Sequence, residues 1–411
     1  MILPPYIPQG GKQVLYSGPY WDQDEIEAAT KVLTSGSWIT SGEYVVRFQN
    51  LFSKHFGVKH SLMVNSGSSA NLVMIAALKK VYRWNDGDEV IVSPVGFPTT
   101  IAPLVQNGLR PVFADIETNT LNFDLREVES RVCSKTVAIF VSPVLGNPPD
   151  MDEIKSIAAF NGLTVIGDNC DSLGSKWSGQ YLTSRYEAWS SSFYPAHHIC
   201  TGEGGMVSSN DQSVVDIARS IAWWGRDCYC VGKANLLPCG SCKTRFSKWL
   251  EDVDAVVDHK YVFTNLGYNL KPLDLQGAIG IEQMKKIEEI ERRRRWSFEQ
   301  IKNLLEPFDM LRVATVLPQA DPCWFGVPII CRTQAVKESL VAHFESNGIQ
   351  TRSYFAGNIL LHPAYRHLDS FLRYPNANLA LTHVFFLGAS PHYDESTIDR
   401  ISEVLKIWQM H

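Results

Sequence analysis

No apolar run in the 411-residue chain approaches the ~18 residues that a membrane helix needs, so no membrane span is expected. Residues 1–12 lack the basic head and apolar stretch of a secretory signal, which makes cytoplasmic residence the expectation. The nine cysteines are then expected to be reduced thiols, metal ligands or catalytic groups, not structural disulfides. A strong charge of one sign is missing too. With 38 Lys+Arg against 43 Asp+Glu the net charge is −5, which gives no electrostatic reason to expect nucleic acid or an anionic membrane as partner. There is no internal repeat and no low-complexity segment. What is present is ordinary globular composition, long enough for about two to three domains.

Residues 1–20 are rich in Pro and Gly and read as an extended arm. A helix is expected from about Asp22 to Thr34, where Ile26, Ala29, Val32 and Leu33 recur at helical spacing. From about 60 to 210, short β-branched runs alternate with helical patterns. Val90–Val92, Pro111–Phe113, Thr136–Val141 and Leu163–Ile166 read as strands, and Asn71–Val81 as an intervening helix. This rhythm predicts an α/β fold with a mostly parallel central sheet covered by helices on both faces. A long helix is expected from Asp274 to Leu305, followed by a smaller α+β unit. The expected organisation is an arm at 1–20, a large domain at 21–285 with a cysteine-rich insertion at about 226–246, and a small C-terminal domain at 286–411. Arg292–Arg295 read as a solvated helix face paired at i,i+4 with Glu288, Glu289 and Glu291, not as a nucleic-acid patch.

Three segments carry candidate chemistry. Val64 to Asn71, with Gly67, Ser68 and Ser69, precedes a helix; small residues and exposed N–H groups there suit a phosphate, though a serine-rich N-cap looks the same. Asp168 ends an apolar strand, where open α/β sheets bind ligands. A carboxylate there can pair with a protonated pyridine nitrogen, or be an ordinary solvated Asp. Phe97 lies in a turn, fit to stack on a ring or to pack in the core.

A fourth segment joins them. Ser191-Ser192-Phe193-Tyr194-Pro195-Ala196-His197-His198, followed by Gly202-Glu203-Gly204-Gly205, resembles the lysine segment of the DegT/DnrJ/EryC1/StrS sugar aminotransferases. Gly67-Ser68-Ser69-Ala70, Gly167-Asp168, Gly267-Tyr268-Asn269 and Asp274-x-Gln276 extend the resemblance over about residues 15–410. It implies a fold-type I, aspartate aminotransferase-like PLP enzyme. In that likeness Asp168 pairs with the pyridine nitrogen, Phe97 stacks on the ring, and Ser68, Ser69 and Ser192 hold the phosphate. Asn269 reaches the same phosphate from a neighbouring subunit, which implies a homodimer with shared active sites. Lys271 stands where many members have Arg.

The family lysine is replaced here by His197. Imidazole cannot hold PLP covalently, so the resemblance implies the amino form, PMP, bound by its other contacts. Imidazole can still move protons, with an ordinary pKa near ~6.5. The implied reaction is loss of the C3 hydroxyl from a nucleotide-linked 4-keto-6-deoxyhexose, with His197 taking the proton from C4′ of PMP.

The cysteines sharpen this. Fifty-seven residues separate Cys170 from Cys228, which is followed by Cys230. This resembles the Cys-x57-Cys-x-Cys-x7-Cys pattern of the ascarylose-type, PMP-dependent CDP-6-deoxy-4-ketoglucose 3-dehydrases, which carry a [2Fe–2S] cluster. The fourth spacing departs: eight residues precede Cys239 and eleven precede Cys242. The sequence Cys242-Lys243-Thr244-Arg245-Phe246 favours Cys242 as fourth ligand, with Cys239 as alternate. Thiolates are the ligands such clusters use; Cys228, Cys230, Cys239 and Cys242 also suit a structural zinc. A cluster implies a flavin or iron–sulfur reductase as electron donor. Trp38, Arg352, Asn358 and His362 are expected substrate contacts by resemblance. Two alternatives stand beside this reading: an iron-free PMP 3-dehydratase regenerated by glutamate, and a non-catalytic zinc or redox sensor on an aminotransferase scaffold.

Overall fold

The apolar runs become strands because each is flanked by residues that end it and is rich in side chains that pack on a pleated surface. A computed structural model of the chain describes residues 13–36, 39–227 and 245–409. Trp38, Cys228, Cys230, Cys239 and Cys242, and most of segment 226–246, lie outside the described residues.

The principal strands of the large sheet are β1 (His60–Val64), β2 (Glu89–Val92), β3 (Arg110–Phe113), β4 (Thr136–Val141), β5 (Thr164–Asp168), β6 (Ala188–Ser192) and β7 (Gly205–Ser209). Their order is β1-β7-β6-β5-β4-β2-β3. The pairs from β6 to β3 are parallel, and β7 alone runs antiparallel to both neighbours. The mostly parallel sheet expected from the sequence is therefore present. Helices cover it, so its strands are buried on both faces, as their near-continuous apolar sequences require.

Helix Glu43–Phe56 buries Val45, Phe48, Phe52 and Phe56, a helical stripe. Its start is held by Asp274, whose Oδ1 accepts from the backbone N–H of Gly42 and Val45 at 3.0 and 2.9 Å. The Asp274 motif thus caps a helix. Helix Gln23–Thr34 starts at Asp22 in a capping box with Glu25, and Glu25 is buried against Gln283 and Lys286 of the long helix.

That long helix, Asp274–Leu305, passes through the expected boundary at 285/286 without a break and packs on both units. Beyond it lie β8 (Leu311–Val313), β9 (Gly326–Cys331), β10 (Arg352–Ser353) and β11 (Val384–Gly388), an antiparallel sheet in the order β8-β9-β11-β10.

One expectation is corrected here. Arg292–Arg295 are not a uniformly solvated face. The ion pairs Glu289–Arg293 and Glu291–Arg295 are present at 2.9 and 3.4 Å, but Arg294 is fully buried. It falls in the stripe Ile287, Ile290, Glu291, Arg294, Phe298 and Ile301, which faces the core. No described helix is long and apolar enough to cross a membrane.

Candidate active site

The strand register brings the chemistry to one end of the sheet. Val64 at the end of β1 pairs with Gly205, which pairs with Ser192 at the end of β6. Asp168 at the end of β5 pairs with Ser190. The carboxyl ends of β1, β4, β5 and β6 open on a cavity of about 530 Å³. Gly67, Ser68, Phe97, Asp168, Cys170, Ser192 and His197 all line it.

The helix Gly67–Val81 points its N-terminus into this cavity. Ser66 caps it, accepting from the N–H of Ser69 at 3.1 Å. A Cβ on Gly67 would lie 2.5 Å from Cβ of Ser192. Only glycine lets the helix start approach β6 this closely, and the approach makes a cradle of N–H groups and hydroxyls suited to a phosphate. Ser68 Oγ donates to Thr99 Oγ1 at 3.1 Å. Ser69 does not line the cavity; its hydroxyl accepts from Ser66 at 3.0 Å.

Asp168 is buried, and its Oδ2 accepts from Asn71 Nδ2 at 2.8 Å and Thr100 Oγ1 at 2.6 Å. Ser190 Oγ donates to Asn71 Oδ1 at 2.6 Å and so fixes the carboxamide. Phe97, half-exposed, stands at the cavity wall before helix Pro98–Gln106, edge-on to Phe355 with centroids 6.1 Å apart.

His197 sits on a turn after β6, its backbone N–H donating to Tyr194 O at 2.9 Å. Its ring packs against Phe325, with centroids 5.0 Å apart. Nδ1 has no hydrogen-bond partner among the described residues, and Asp171 Oδ1 lies 3.7 Å from it. Burial, then the Arg294 charge, push the imidazole pKa down to about 3, against a small opposing effect of the Cys170 backbone. Burial, then Asp168, raise the Asp171 carboxyl to about 7. Both shifts leave the imidazole neutral, and the Asp171 carboxyl carries a proton only as pH falls below about 7. Burial and Asp168 also push the Cys170 thiol up. His198 is turned away: its Nε2 bonds Cys323 O at 2.9 Å.

The other expected residues fall as follows. Arg352 is exposed, its guanidinium 4.0 Å from the ring centroid of Tyr16, a cavity residue. His362 is exposed, with Nε2 bonded to Ala356 O at 2.9 Å, and does not line the cavity. Asn358 is corrected as a substrate contact. It is fully buried; Oδ1 caps the turn Ile359–Leu361 and Nδ2 donates to Asn378. Asn269 is exposed and outside the cavity of its own chain. Among the described residues no group of three or more His, Cys, Asp or Glu is placed to hold a metal.

Asp171, Tyr16, Asn71 and Thr100 were not singled out by sequence reading. Asp171 follows Asp168 by three residues, which is a usable signal for a shared site. Tyr16 comes from the N-terminal arm, and nothing local marks it.

Comparison with known proteins gives a consistent answer. The model of the DegT/DnrJ/EryC1/StrS aminotransferase family matches residues 19–406. A dTDP-4-dehydro-2,6-dideoxy-D-glucose 3-dehydratase of Saccharopolyspora spinosa is 36% identical, covering 97% of this chain and 87% of its own. A GDP-4-keto-6-deoxy-D-mannose 3-dehydratase of Escherichia coli O55:H7 is 34% identical, covering 94% and 97%. The solved structure of E. coli GDP-4-keto-6-deoxy-D-mannose-3-dehydratase with bound hydrated PLP superposes with a TM-score of 0.83 at 32% identity, over 95% of this chain and 99% of that one. The fold is that of the fold-type I PLP-dependent enzymes.

Proposed function

This chain belongs to the DegT/DnrJ/EryC1/StrS aminotransferase family, and from that premise we propose that it removes the C3 hydroxyl of a nucleotide-linked 4-keto-6-deoxyhexose, with PMP as cofactor and His197 as base. The observation that carries the reading is an imidazole, with no lysine, among the described residues lining the cavity. The 3-dehydratase names of the relatives support it.

The described residues fit the cofactor. The close approach of Gly67 to Ser192 leaves a cradle at a helix N-terminus that a Cβ would fill, and a buried carboxylate faces the same cavity. Bound PMP supplies a primary amine for the C4 ketone and a pyridine ring that accepts electrons. Gly67, Ser68 and Ser192, with Ser69 stiffening the helix start, hold the phosphate. Asp168, fixed by Asn71 and Thr100, holds the proton on the ring nitrogen. Phe97 stacks on the ring. His197 takes the proton at C4′, which requires the neutral imidazole that burial and Arg294 favour. Arg352, His362 and Trp38 are proposed substrate contacts; Arg352 has the clearest support, through its place over Tyr16.

The finer form of the proposal adds a [2Fe–2S] cluster on Cys170, Cys228, Cys230 and Cys242 (Cys239 the alternate), with a flavin or iron–sulfur reductase as electron donor. Its support is the cysteine spacing and the place of Cys170 on the cavity wall. It also adds a homodimer in which Asn269 serves the neighbouring site. The support is an exposed apolar stretch at Tyr261, Phe263, Leu266 and Tyr268 beside Asn269.

The test is anaerobic incubation of protein, PMP and a reductase with CDP-, dTDP- or GDP-linked 4-keto-6-deoxyhexose. Loss of the C3 hydroxyl is expected, together with the visible absorbance of a [2Fe–2S] protein. Turnover with glutamate and no iron would select the iron-free reading. Zinc without bound PMP would select the sensor and overturn the proposal.

A further inference from the structure

A buried arginine normally sits opposite a carboxylate, because a desolvated cation without one is unfavourable. Arg294 does not. Its side chain is fully buried, and its described hydrogen-bond partners are five backbone carbonyls. Nη2 donates to Ala196 O and His197 O, each at 2.9 Å. Nη1 faces Trp324 O, Phe325 O and Ala389 O, each at 3.3 Å. The first pair belongs to the turn that carries the imidazole. The other three belong to the small-domain sheet, at the entry to β9 and the exit from β11. Phe325, in turn, packs its ring on His197.

We infer that Arg294 is a positioning residue for His197, a fork that fastens the imidazole-bearing turn to the small domain so that the two move as one body. The planar guanidinium is suited to this: it directs hydrogen bonds from two nitrogens at fixed angles, whereas an ammonium offers three bonds from one point. The hydrogen bonds that hold the guanidinium go to carbonyls, which do not titrate, while Asp171 adds attraction from further off. The inference rests on the reading of His197 as the base. It goes beyond that reading by making the base's placement depend on a residue of the long helix outside the cavity.

Misplacing a reacting group by about 1 Å can lower a rate by ~10²-fold. In Arg294→Lys we expect kcat to fall about a hundredfold, with KM for the nucleotide sugar and the dissociation constant of PMP unchanged within about threefold. A side chain that merely stabilised the fold would not separate kcat from KM in this way in protein that remains folded. The second readout uses cofactor-free protein labelled with ¹³C-histidine. The His197 ring signal, assigned by its loss in His197→Asn, is expected to broaden or split in Arg294→Lys while the signals of histidines outside this turn hold. A third readout needs no variant: the Nη–H protons of Arg294 in the wild type should exchange slowly with solvent.

An unchanged kcat and an unchanged His197 signal in folded Arg294→Lys overturn the inference, as does fast exchange of the Nη–H protons. Should Arg294→Lys not fold, the exchange measurement decides alone. If His197→Asn keeps full activity, the base assignment itself fails. If His197→Asn is inactive and Arg294→Lys is not impaired, only the inference falls.

Discussion

A single hydrogen atom at residue 67 decides whether the phosphate cradle exists. The Cβ of Gly67→Ala would stand 2.5 Å from Ser192 Cβ and 3.0 Å from its Oγ, so the helix start and β6 must separate. The donors at the helix N-terminus and the Ser192 hydroxyl then no longer converge. Affinity for PMP is expected to fall at least about tenfold, ~1.4 kcal/mol, read by titrating the cofactor absorbance, with the far-UV circular dichroism unchanged. Wild-type affinity in that variant would refute the cradle. At this scale the sequence was legible where chemistry comes in linear motifs: Gly67, Ser68, Phe97, Asp168, Cys170, Ser192 and His197 share one cavity wall. It misled where a polar side chain has two uses. The Ser69 hydroxyl accepts from that of its N-cap, Ser66, and Asn358 caps a buried turn, so neighbouring groups of the chain already occupy both. It was silent on Tyr16, whose cavity position depends on where the arm crosses the small domain.

Elements were read well where apolar periodicity is unbroken. Thr136–Val141 and Asp274–Leu305 emerge with the expected bounds, and Glu89–Val92 and Gly67–Val81 differ only at their starts. The error lay in treating charge as a sign of exposure. Glu291 and Arg294 occupy core-facing positions of the long helix, and the periodicity of Ile287, Ile290, Phe298 and Ile301 already marked them. For Glu291 the consequence is measurable. It is buried, its Oε1 has no partner among the described residues, and burial, against the pull of Arg295, raises its pKa from 4.5 to about 7. For an acid, a folded-state pKa above the unfolded value means that the folded protein retains a proton the unfolded chain has released. Stability from this group is therefore full below pH ~4.5 and declines as pH rises through about 7. Glu291→Gln keeps the shape and removes the titration. It is expected to raise the unfolding free energy, relative to wild type, by up to ~3 kcal/mol at pH 8 and by less than ~1 kcal/mol at pH 5. Denaturant unfolding at the two pH values checks this. An equal effect at both would mean that the carboxyl is not held neutral by the fold.

At the scale of the whole molecule, the question is what covers the apolar edge beside Asn269. Leu266 is 98% exposed, and Tyr261, Phe263 and Tyr268 are each about half-exposed or more. Among the described residues, these four side chains within eight positions form an exposed apolar patch. A two-fold dimer would bury the patch of each subunit and carry both copies of Asn269 toward the neighbouring cradles, because an isologous interface repeats every contact. Leu266→Asp tests this with the charge entering twice. Losing the burial of one leucine costs ~2 kcal/mol, so two copies weaken the dimer by ~4 kcal/mol, or about a thousandfold in dissociation constant. Sedimentation velocity at micromolar protein should show wild type as a dimer and Leu266→Asp shifted toward monomer. PMP retention should fall in parallel, since Asn269 would no longer reach the second site. Dissociation with unchanged PMP affinity would leave the dimer standing and remove Asn269 from the cofactor site. A monomeric wild type that still binds PMP would remove the shared site altogether and require each cavity to hold its phosphate with the residues of one chain.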